Sequence, residues 1–181
     1  MTDRLIAVNR AEDIPGEYEG TPVGELLEYH NLRKKLQAYS KAQMLIAMCM
    51  DNRKTLHIPE NFAYIIRSGG GNLRYSEFTV SYAVGAGKVK HIVLVGHDRC
   101  GMSNLFSKKE AFIEGLVQNA GWTRTQAEEH FISFSPLFEI GNEIDFVLSE
   151  AGRLRNRYPK ITIVPLFYLL DDNRLYLLKE E

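Results

Sequence analysis

Two cysteines and one histidine carry the clearest chemical signal in this 181-residue sequence. His97 and Cys100 lie three residues apart, directly after an apolar run and a glycine, where a tight turn could direct both side chains to one point. Cys49 ends a second apolar run and could supply a third donor if the two runs are neighbouring strands. Zn²⁺ accepts thiolate sulfur and imidazole nitrogen, and catalytic zinc sites commonly combine three protein ligands with a water position. We therefore predict one zinc ion per chain, bound by these three side chains.

Each of these residues also has an ordinary structural explanation. A lone cysteine at the end of an apolar strand is most often a small buried hydrophobe, which is the alternative for Cys49. A polar turn can hold His97 and Cys100 without any metal. The position of both cysteines at predicted strand ends favours the metal site. A redox pair is the weaker alternative, because the sequence contains no Cys-x-x-Cys.

Asp51 and Arg53 follow Cys49 at intervals of two residues. Residues two apart on an extended chain point the same way, so the carboxylate and the guanidinium could lie on the same side as Cys49. A carboxylate beside a guanidinium stays ionised and is oriented by paired hydrogen bonds. An exposed ion pair without a function is the commoner fate of such residues. Their proximity to Cys49 favours a role in catalysis.

The elements that must position these side chains follow an α/β pattern, with a central, mainly parallel β-sheet flanked by helices and a C-terminal strand pair. In such sheets ligands collect beyond the carboxyl ends of the strands. Cys49 and His97 both lie at such ends. Hydrophobic periodicity predicts helices over 23–39, 76–87, 109–120, 123–131 and 141–158, and strands over 44–50, 62–66, 91–96, 161–165 and 167–170.

Length and composition predict a single domain over residues 1–181. Its first 22 residues are rich in Glu, Asp, Gly and Pro, and we interpret them as an extended arm that can pack on another subunit. Acidic and basic residues nearly cancel, at 23 against 22, and the basic ones are dispersed, so we expect no nucleic-acid partner. We see neither a membrane span nor a secretory signal, and two cysteines cannot build a disulfide framework. A cytoplasmic location is the expectation.

Three segments in order resemble the signature of the β-class carbonic anhydrases, particularly those of the short microbial type. They are Cys-Met-Asp-Asn-Arg at 49–53, Ile-Ile-Arg-Ser-Gly-Gly-Gly-Asn at 65–72 and Gly-His-Asp-Arg-Cys-Gly at 96–101. The resemblance implies that Cys49, His97 and Cys100 bind zinc and that Asp51 and Arg53 form the catalytic dyad. It implies that Gly101 donates a backbone N–H to the bound anion, and that Gly70 also binds substrate. The loop containing Gly70 departs from the family's usual Arg-Asn-Ala-Gly.

The resemblance also implies an assembly and a reaction. It implies a homodimer or higher oligomer, in which the N-terminal arm and first helix pack on a neighbouring subunit. The implied reaction is the reversible hydration of CO₂ to bicarbonate by zinc-bound hydroxide, which Asp51 orients while Arg53 holds it. In some family members the equivalent aspartate binds zinc instead, which makes Asp51 a candidate switch. His57 is the nearest candidate proton shuttle, although a surface histidine without a function is commoner.

Two other functions are compatible with the same residues. The altered glycine-rich loop leaves open the hydrolysis of CS₂ or COS at the same zinc site. A non-catalytic zinc-binding protein is the third hypothesis, but a purely structural zinc would need neither Asp51 nor Arg53. The stretch 122–136 could cover the pocket or merely lengthen a helical surface.

Overall fold

Six strands form one mixed sheet in the computed structural model, which describes residues 2–180. The strands are β1 Leu5–Ala7, β2 Met44–Cys49, β3 Ala63–Ser68, β4 His91–His97, β5 Thr162–Leu169 and β6 Arg174–Leu178. Their order across the sheet is β1-β6-β5-β4-β2-β3. β3, β2, β4 and β5 run parallel to one another. At one end of the sheet, β6 pairs antiparallel with β5, and β1 pairs antiparallel with β6. The predicted α/β fold with a mainly parallel sheet and a C-terminal strand pair is confirmed.

Helices cover both faces of the sheet. They are α1 Pro22–Asn31, α2 Glu77–Gly85, α3 Lys109–Ala120, α4 Arg124–Phe138 and α5 Glu143–Arg157. β2 is buried along its whole length and alternates between two cores: Ile46 and Met48 face α1, while Leu45 and Ala47 face α2 and α5. This two-sided burial explains why β2 is an uninterrupted apolar run rather than an alternating one. None of the helices in residues 2–180 has the length and apolar content to cross a bilayer.

The first helix is shorter than predicted, ending at Asn31 instead of continuing to residue 39. The Asn31 side-chain amide donates to the carbonyls of Val8 and Leu175, and its oxygen accepts the Leu175 N–H. These bonds fasten the helix end to the sheet, and a left-handed backbone at Arg33 (φ 55°) then turns the chain away. Tyr39 still packs on the core from this non-helical segment, so its apolar spacing indicated burial rather than a longer helix.

The prediction of an extended arm over residues 1–22 is corrected for its first part. Residues 5–7 form β1, which pairs with β6 through Leu5 and Leu178, and Val8 and Ile14 lie in the core beside α1. Without β1, the outer edge of β6 would present unpaired backbone groups, which the added strand satisfies. Packing of this region on another subunit stays a prediction.

Two further differences concern the length of elements. α4 continues to Phe138, seven residues beyond the predicted helix, because Phe131, Phe134 and Phe138 keep helical spacing. Its start is as predicted: Thr123 caps the helix and exchanges hydrogen bonds with Gln126. The two predicted strands over 161–170 form the single strand β5.

Candidate metal centre

The three predicted metal ligands lie together where β2 and β4 end. Cys49 is the last residue of β2 and His97 the last of β4, and Cys100 follows in the turn after β4. The two strands are parallel neighbours with Met48 opposite Val95, so their carboxyl ends meet at one edge of the sheet. The Cys49 and Cys100 sulfurs lie 3.8 Å apart, and all three donor atoms lie within 4.8 Å of one another. All three side chains are buried.

The geometry of these donors fits a tetrahedral metal ion. Two thiolate sulfurs each ~2.3 Å from a tetrahedral zinc would lie roughly 3.8 Å apart, which is the separation found here. His97 Nδ1 lies 2.8 Å from the Asp98 carbonyl oxygen, which can only accept, so Nδ1 carries the proton. That leaves His97 Nε2 with a free electron pair, buried and without a hydrogen-bond partner among residues 2–180. A buried acceptor of this kind suits a metal ligand whose second nitrogen is fixed by the backbone.

The contact between Cys49 and Cys100 shifts the pKa values of the two thiols in opposite directions. The Cys100 thiol is placed to donate to the Cys49 sulfur, and this contact lowers the pKa of Cys49. The same contact, together with burial, raises the pKa of Cys100. One thiolate and one thiol are therefore the favoured state of the pair. Binding of a divalent cation would release the remaining proton.

Asp51 is held in one orientation by Arg53. Arg53 Nε donates to Asp51 Oδ1 at 2.9 Å, Arg53 Nη2 donates to Oδ2 at 2.5 Å, and the Arg53 backbone N–H donates to Oδ1 at 3.0 Å. This guanidinium keeps the pKa of Asp51 well below its usual range. Arg53 is anchored in turn by the Arg99 carbonyl at 2.9 Å. Asp51 Oδ2 lies 4.0 Å from His97 Nε2, so the carboxylate borders the cluster of donors.

Two residues for which the sequence predicted no role fix the loop after β2. Arg67, near the end of β3, donates to the carbonyls of Cys49, Asp51 and Lys54 at 3.2–3.3 Å. The side chain of Lys54 is buried, with its Nζ 3.5 Å from the Cys49 carbonyl. Burial lowers the pKa of Lys54, against the opposing charges of Cys49 and Asp51. No spacing rule predicts these contacts, because those of Arg67 depend on the register of β3 against β2 and that of Lys54 depends on how the loop after β2 folds back.

An apolar cavity of about 450 Å³ opens beside the donor cluster. Its wall includes Gly101, next to the predicted ligand Cys100, and much of the remainder comes from α4. The stretch 122–136, whose role the sequence left open, therefore does cover a pocket. The apolar residues of the wall include Met50, Met102, Leu105, Phe131, Phe134 and Phe138.

The two predicted substrate-binding glycines differ in their placement. Gly101 lines the cavity, whereas in the glycine-rich loop it is Gly69 that reaches the cavity wall. Gly70 adopts a left-handed conformation (φ 64°), and a Cβ there would lie 2.6 Å from the Ile140 side chain. The structure thus gives Gly70 a packing role, because only glycine fits both that conformation and that space.

Comparison with known proteins identifies the family. The sequence profile of the family described as carbonic anhydrase matches residues 44–136, just over half of the chain, and this range includes the predicted ligands and dyad. The chain belongs to the β-carbonic anhydrase family. A comparison with curated proteins finds no match.

Solved structures share the fold of this family member. A β-carbonic anhydrase from Trichomonas vaginalis is 16% identical, with a TM-score of 0.65, over 83% of this chain and 91% of that one. A carbonic anhydrase from Streptococcus mutans is 17% identical, with a TM-score of 0.60, over 90% and 98%. A carbon disulfide hydrolase is 21% identical, with a TM-score of 0.56, over 91% and 92%. These similarities establish the α/β fold of the family for this chain.

The candidate proton shuttle, His57, lies near the predicted dyad of this β-carbonic anhydrase family member. It lines a polar cavity of about 330 Å³ together with Arg53. Its backbone N–H donates to His30 Nδ1, so His30 must carry its proton on Nε2, which donates to the Asn173 carbonyl. Burial lowers the pKa of His30 to about 4, which keeps this ring neutral. His30 therefore ties α1 to two loops, and the role of His57 stays a prediction.

Proposed function

We propose that this protein is a zinc-dependent carbonic anhydrase that catalyses the reversible hydration of CO₂ to bicarbonate. The observation that carries the proposal is the position of Asp51, whose oriented, ionised carboxylate lies 4.0 Å from His97 Nε2. Its neighbour in the chain, Met50, lines the apolar cavity. A purely structural metal site has no use for such a carboxylate. The cavity suits an uncharged, apolar substrate.

The residues divide the chemistry between them. Zn²⁺ bound by Cys49, His97 and Cys100 would lower the pKa of a coordinated water and so supply the nucleophile near neutral pH. Asp51 remains ionised in this pH range because of Arg53, so its Oδ2 accepts a hydrogen bond but does not donate one. Asp51 would thereby fix the direction of the nucleophile's remaining electron pairs, an effect of orientation rather than of proton transfer.

The cavity and the turn after β4 would handle substrate and product. Met102, Phe134 and Phe138 offer CO₂ an apolar surface next to the metal ligands. Gly101 lies on the same wall, where its backbone N–H would donate to an oxygen of bicarbonate as negative charge develops. The packing of Gly70 against Ile140 gives no support to substrate binding by Gly70. We propose that Gly69, which lines the cavity, contacts the substrate instead.

Metal analysis combined with stopped-flow CO₂ hydration tests this proposal. We expect one zinc per chain and CO₂ hydration in proportion to zinc content. Asp51→Asn keeps the size of the side chain but removes its charge, so it should retain zinc while losing at least about 10-fold in kcat/KM. Protein that carries one zinc per chain but hydrates no CO₂ between pH 7 and 9 would contradict the proposal. Equal activity of Asp51→Asn and wild type would exclude the orienting role.

A second candidate function is the hydrolysis of COS or CS₂ at the same site. Its support is the composition of the cavity wall, where two methionine sulfurs and several phenylalanine rings offer polarisable surface to sulfur-containing substrates. The carbon disulfide hydrolase noted above shares the fold. Sulfide release from CS₂ or COS, measured beside CO₂ hydration on the same zinc-loaded sample, separates the two functions. A higher kcat/KM for the sulfur compounds would favour the second candidate.

We further propose that the protein acts as a homodimer or larger oligomer in the cytoplasm. An exposed apolar surface formed by α2 and β3 supports self-association: Phe78 is 83% exposed, Tyr82 57% and Tyr64 40%. Contiguous apolar surface of this kind commonly marks an interface. Light scattering should give at least twice the chain mass of 20.7 kDa. Phe78→Glu should lower that mass, and a monomeric wild type would contradict the proposal.

A further inference from the structure

Lys54 is a charged side chain in an unusual place. It directly follows Arg53 in the chain, yet it is only 1% exposed. Its Nζ has one hydrogen-bond acceptor among residues 2–180, the Cys49 carbonyl, at the long distance of 3.5 Å. No carboxylate of the described chain lies within 4.0 Å of Nζ, and the nearby Asp51 is already paired with Arg53. A buried ammonium without a close anion is costly, so an opposing charge must come from elsewhere.

The donor cluster can supply that charge, because Lys54 contacts the backbone of Cys49. Burial lowers the pKa of Lys54, the negative charges of Cys49, Asp51 and Cys100 raise it, and Arg67 lowers it. With Asp51 neutralised by Arg53, the two cysteines remain. Two thiolates balance a divalent metal ion, and the exposed Arg67 is screened by solvent, so the buried Lys54 would add a positive charge beside the loaded cluster. An anionic fourth ligand of the metal would balance that charge more fully than a neutral one.

We propose that Lys54 is a positioning residue whose buried charge makes the metal site prefer an anionic fourth ligand over a neutral one. The inference rests on the metal site of the proposed function. Lys54 contacts the backbone of the ligand Cys49 rather than the reacting atoms, so it acts through its electric field. Because the surroundings are buried and poorly screened, this field is stronger than that of a surface lysine.

Titration of the full-length protein, loaded with cobalt(II) in place of zinc, measures the preference directly. Azide serves as the anionic probe and imidazole as the neutral one, and the visible spectrum of cobalt reports the binding of each. Lys54→Met preserves the length of the side chain and removes its charge. We expect azide affinity to fall about 10-fold in this variant, while imidazole affinity changes less than about twofold. Lys90→Met, an exposed lysine at the opposite end of β4, should leave both affinities unchanged.

The contrast between the two probes separates a charge effect from a structural one. Equal azide affinity in wild type and Lys54→Met would overturn the proposal, and so would a parallel loss for azide and imidazole. Lys54→Gln provides a second neutral variant. Loss of metal binding in both Lys54 variants would likewise overturn the proposal, since Lys54 would then be needed to form the metal site itself. Wild-type protein that binds azide in a Lys54-dependent manner but hydrates no CO₂ would refute the proposed reaction and support this inference. Absence of metal binding in the wild type would refute both.

Discussion

Gly96 offers a sharp test of how the fold positions the predicted metal ligands. It lies one residue before His97, where Val147 of α5 packs against β4. A Cβ at this position would lie 2.4 Å from Val147 Cγ2 and 3.2 Å from Phe167 Cδ2. Val147 cannot turn aside, because a β-branched side chain in a helix has one strongly preferred rotamer. Phe167 is fully buried. Gly96→Ala must therefore displace α5 or the end of β4, and overpacking of this kind costs about 1–3 kcal/mol.

Urea unfolding with a matched control measures this cost. Gly152 lies inside α5, where an added Cβ would contact no side chain within 4 Å, so Gly152→Ala should stabilise the protein by about 0.5–1 kcal/mol. With an m-value of about 2 kcal/mol/M, Gly96→Ala should lower the midpoint by roughly 0.5–1.5 M, and Gly152→Ala should raise it by roughly 0.25–0.5 M. The same displacement should weaken zinc binding only in Gly96→Ala. A wild-type midpoint for Gly96→Ala would refute the reasoning.

Three further predictions concern the dyad, the end of α1 and the metal. Because Arg53 lowers the pKa of Asp51, this carboxylate stabilises the fold fully above the usual carboxyl pKa range, and the stabilisation is lost as the pH falls. Between about pH 7 and 3, the free energy of unfolding in urea should therefore fall more for the wild type than for Arg53→Met. Equal losses would contradict this. Asn31→Ala removes three buried hydrogen bonds and should cost about 2–4 kcal/mol by the same assay, whereas the exposed Asn119→Ala should cost almost nothing. Zinc at about 1,000 times its Kd should raise the unfolding temperature by roughly 8–16 °C, and Cys49→Ala should abolish that rise; an equal rise in the variant would exclude Cys49 as a ligand.

The sheet was predictable where both of its faces are buried. β2 and β4 each lie between two parallel strands and two cores, so their sequences are continuous apolar runs with sharp ends. β3 was predicted over 62–66 from its apolar residues, like β2 and β4, but it lies at the end of the sheet. There Tyr64 and Ile65 are exposed, and the strand continues to Ser68 through the polar Arg67. An edge strand has only one neighbour, and hydrophobicity alone does not reveal its length.

The end of α1 shows a different limit of sequence reasoning. Leu32, Leu36 and Tyr39 continue the helical period beyond Asn31. Asn31 ends the helix through bonds to Val8 and to Leu175, which lies 144 positions away in the chain. No local pattern contains a contact of that range. Tyr39 is packed against Phe62, at a ring distance of 5.0 Å, by a segment that is not helical.

Within the site, residues whose side-chain type indicates their role were easier to predict than residues whose role depends on tertiary contacts. The donor types and their strand-end positions predicted Cys49, His97 and Cys100, and the structure brings all three together. Arg67 and Lys54 could not be found in this way. An arginine within a strand and a lysine after a turn are ordinary surface residues by composition, and only tertiary packing gives Arg67 its loop contacts and buries Lys54.

The register of the sheet and the metal site impose the same constraint on β2. Successive side chains of a strand alternate between its two faces, so a slip of one residue against β4 would exchange the cores that Ile46 and Ala47 face and also turn Cys49 away from His97. Because β2 is apolar on both faces, hydrophobicity alone penalises such a slip less than it would in an alternating strand. Metal binding would add a penalty of its own, since only the observed register brings Cys49 to His97. Zinc bound during folding would thus favour the native register over its nearest competitor, and metal-free protein should refold with more misregistered species than the zinc-loaded form.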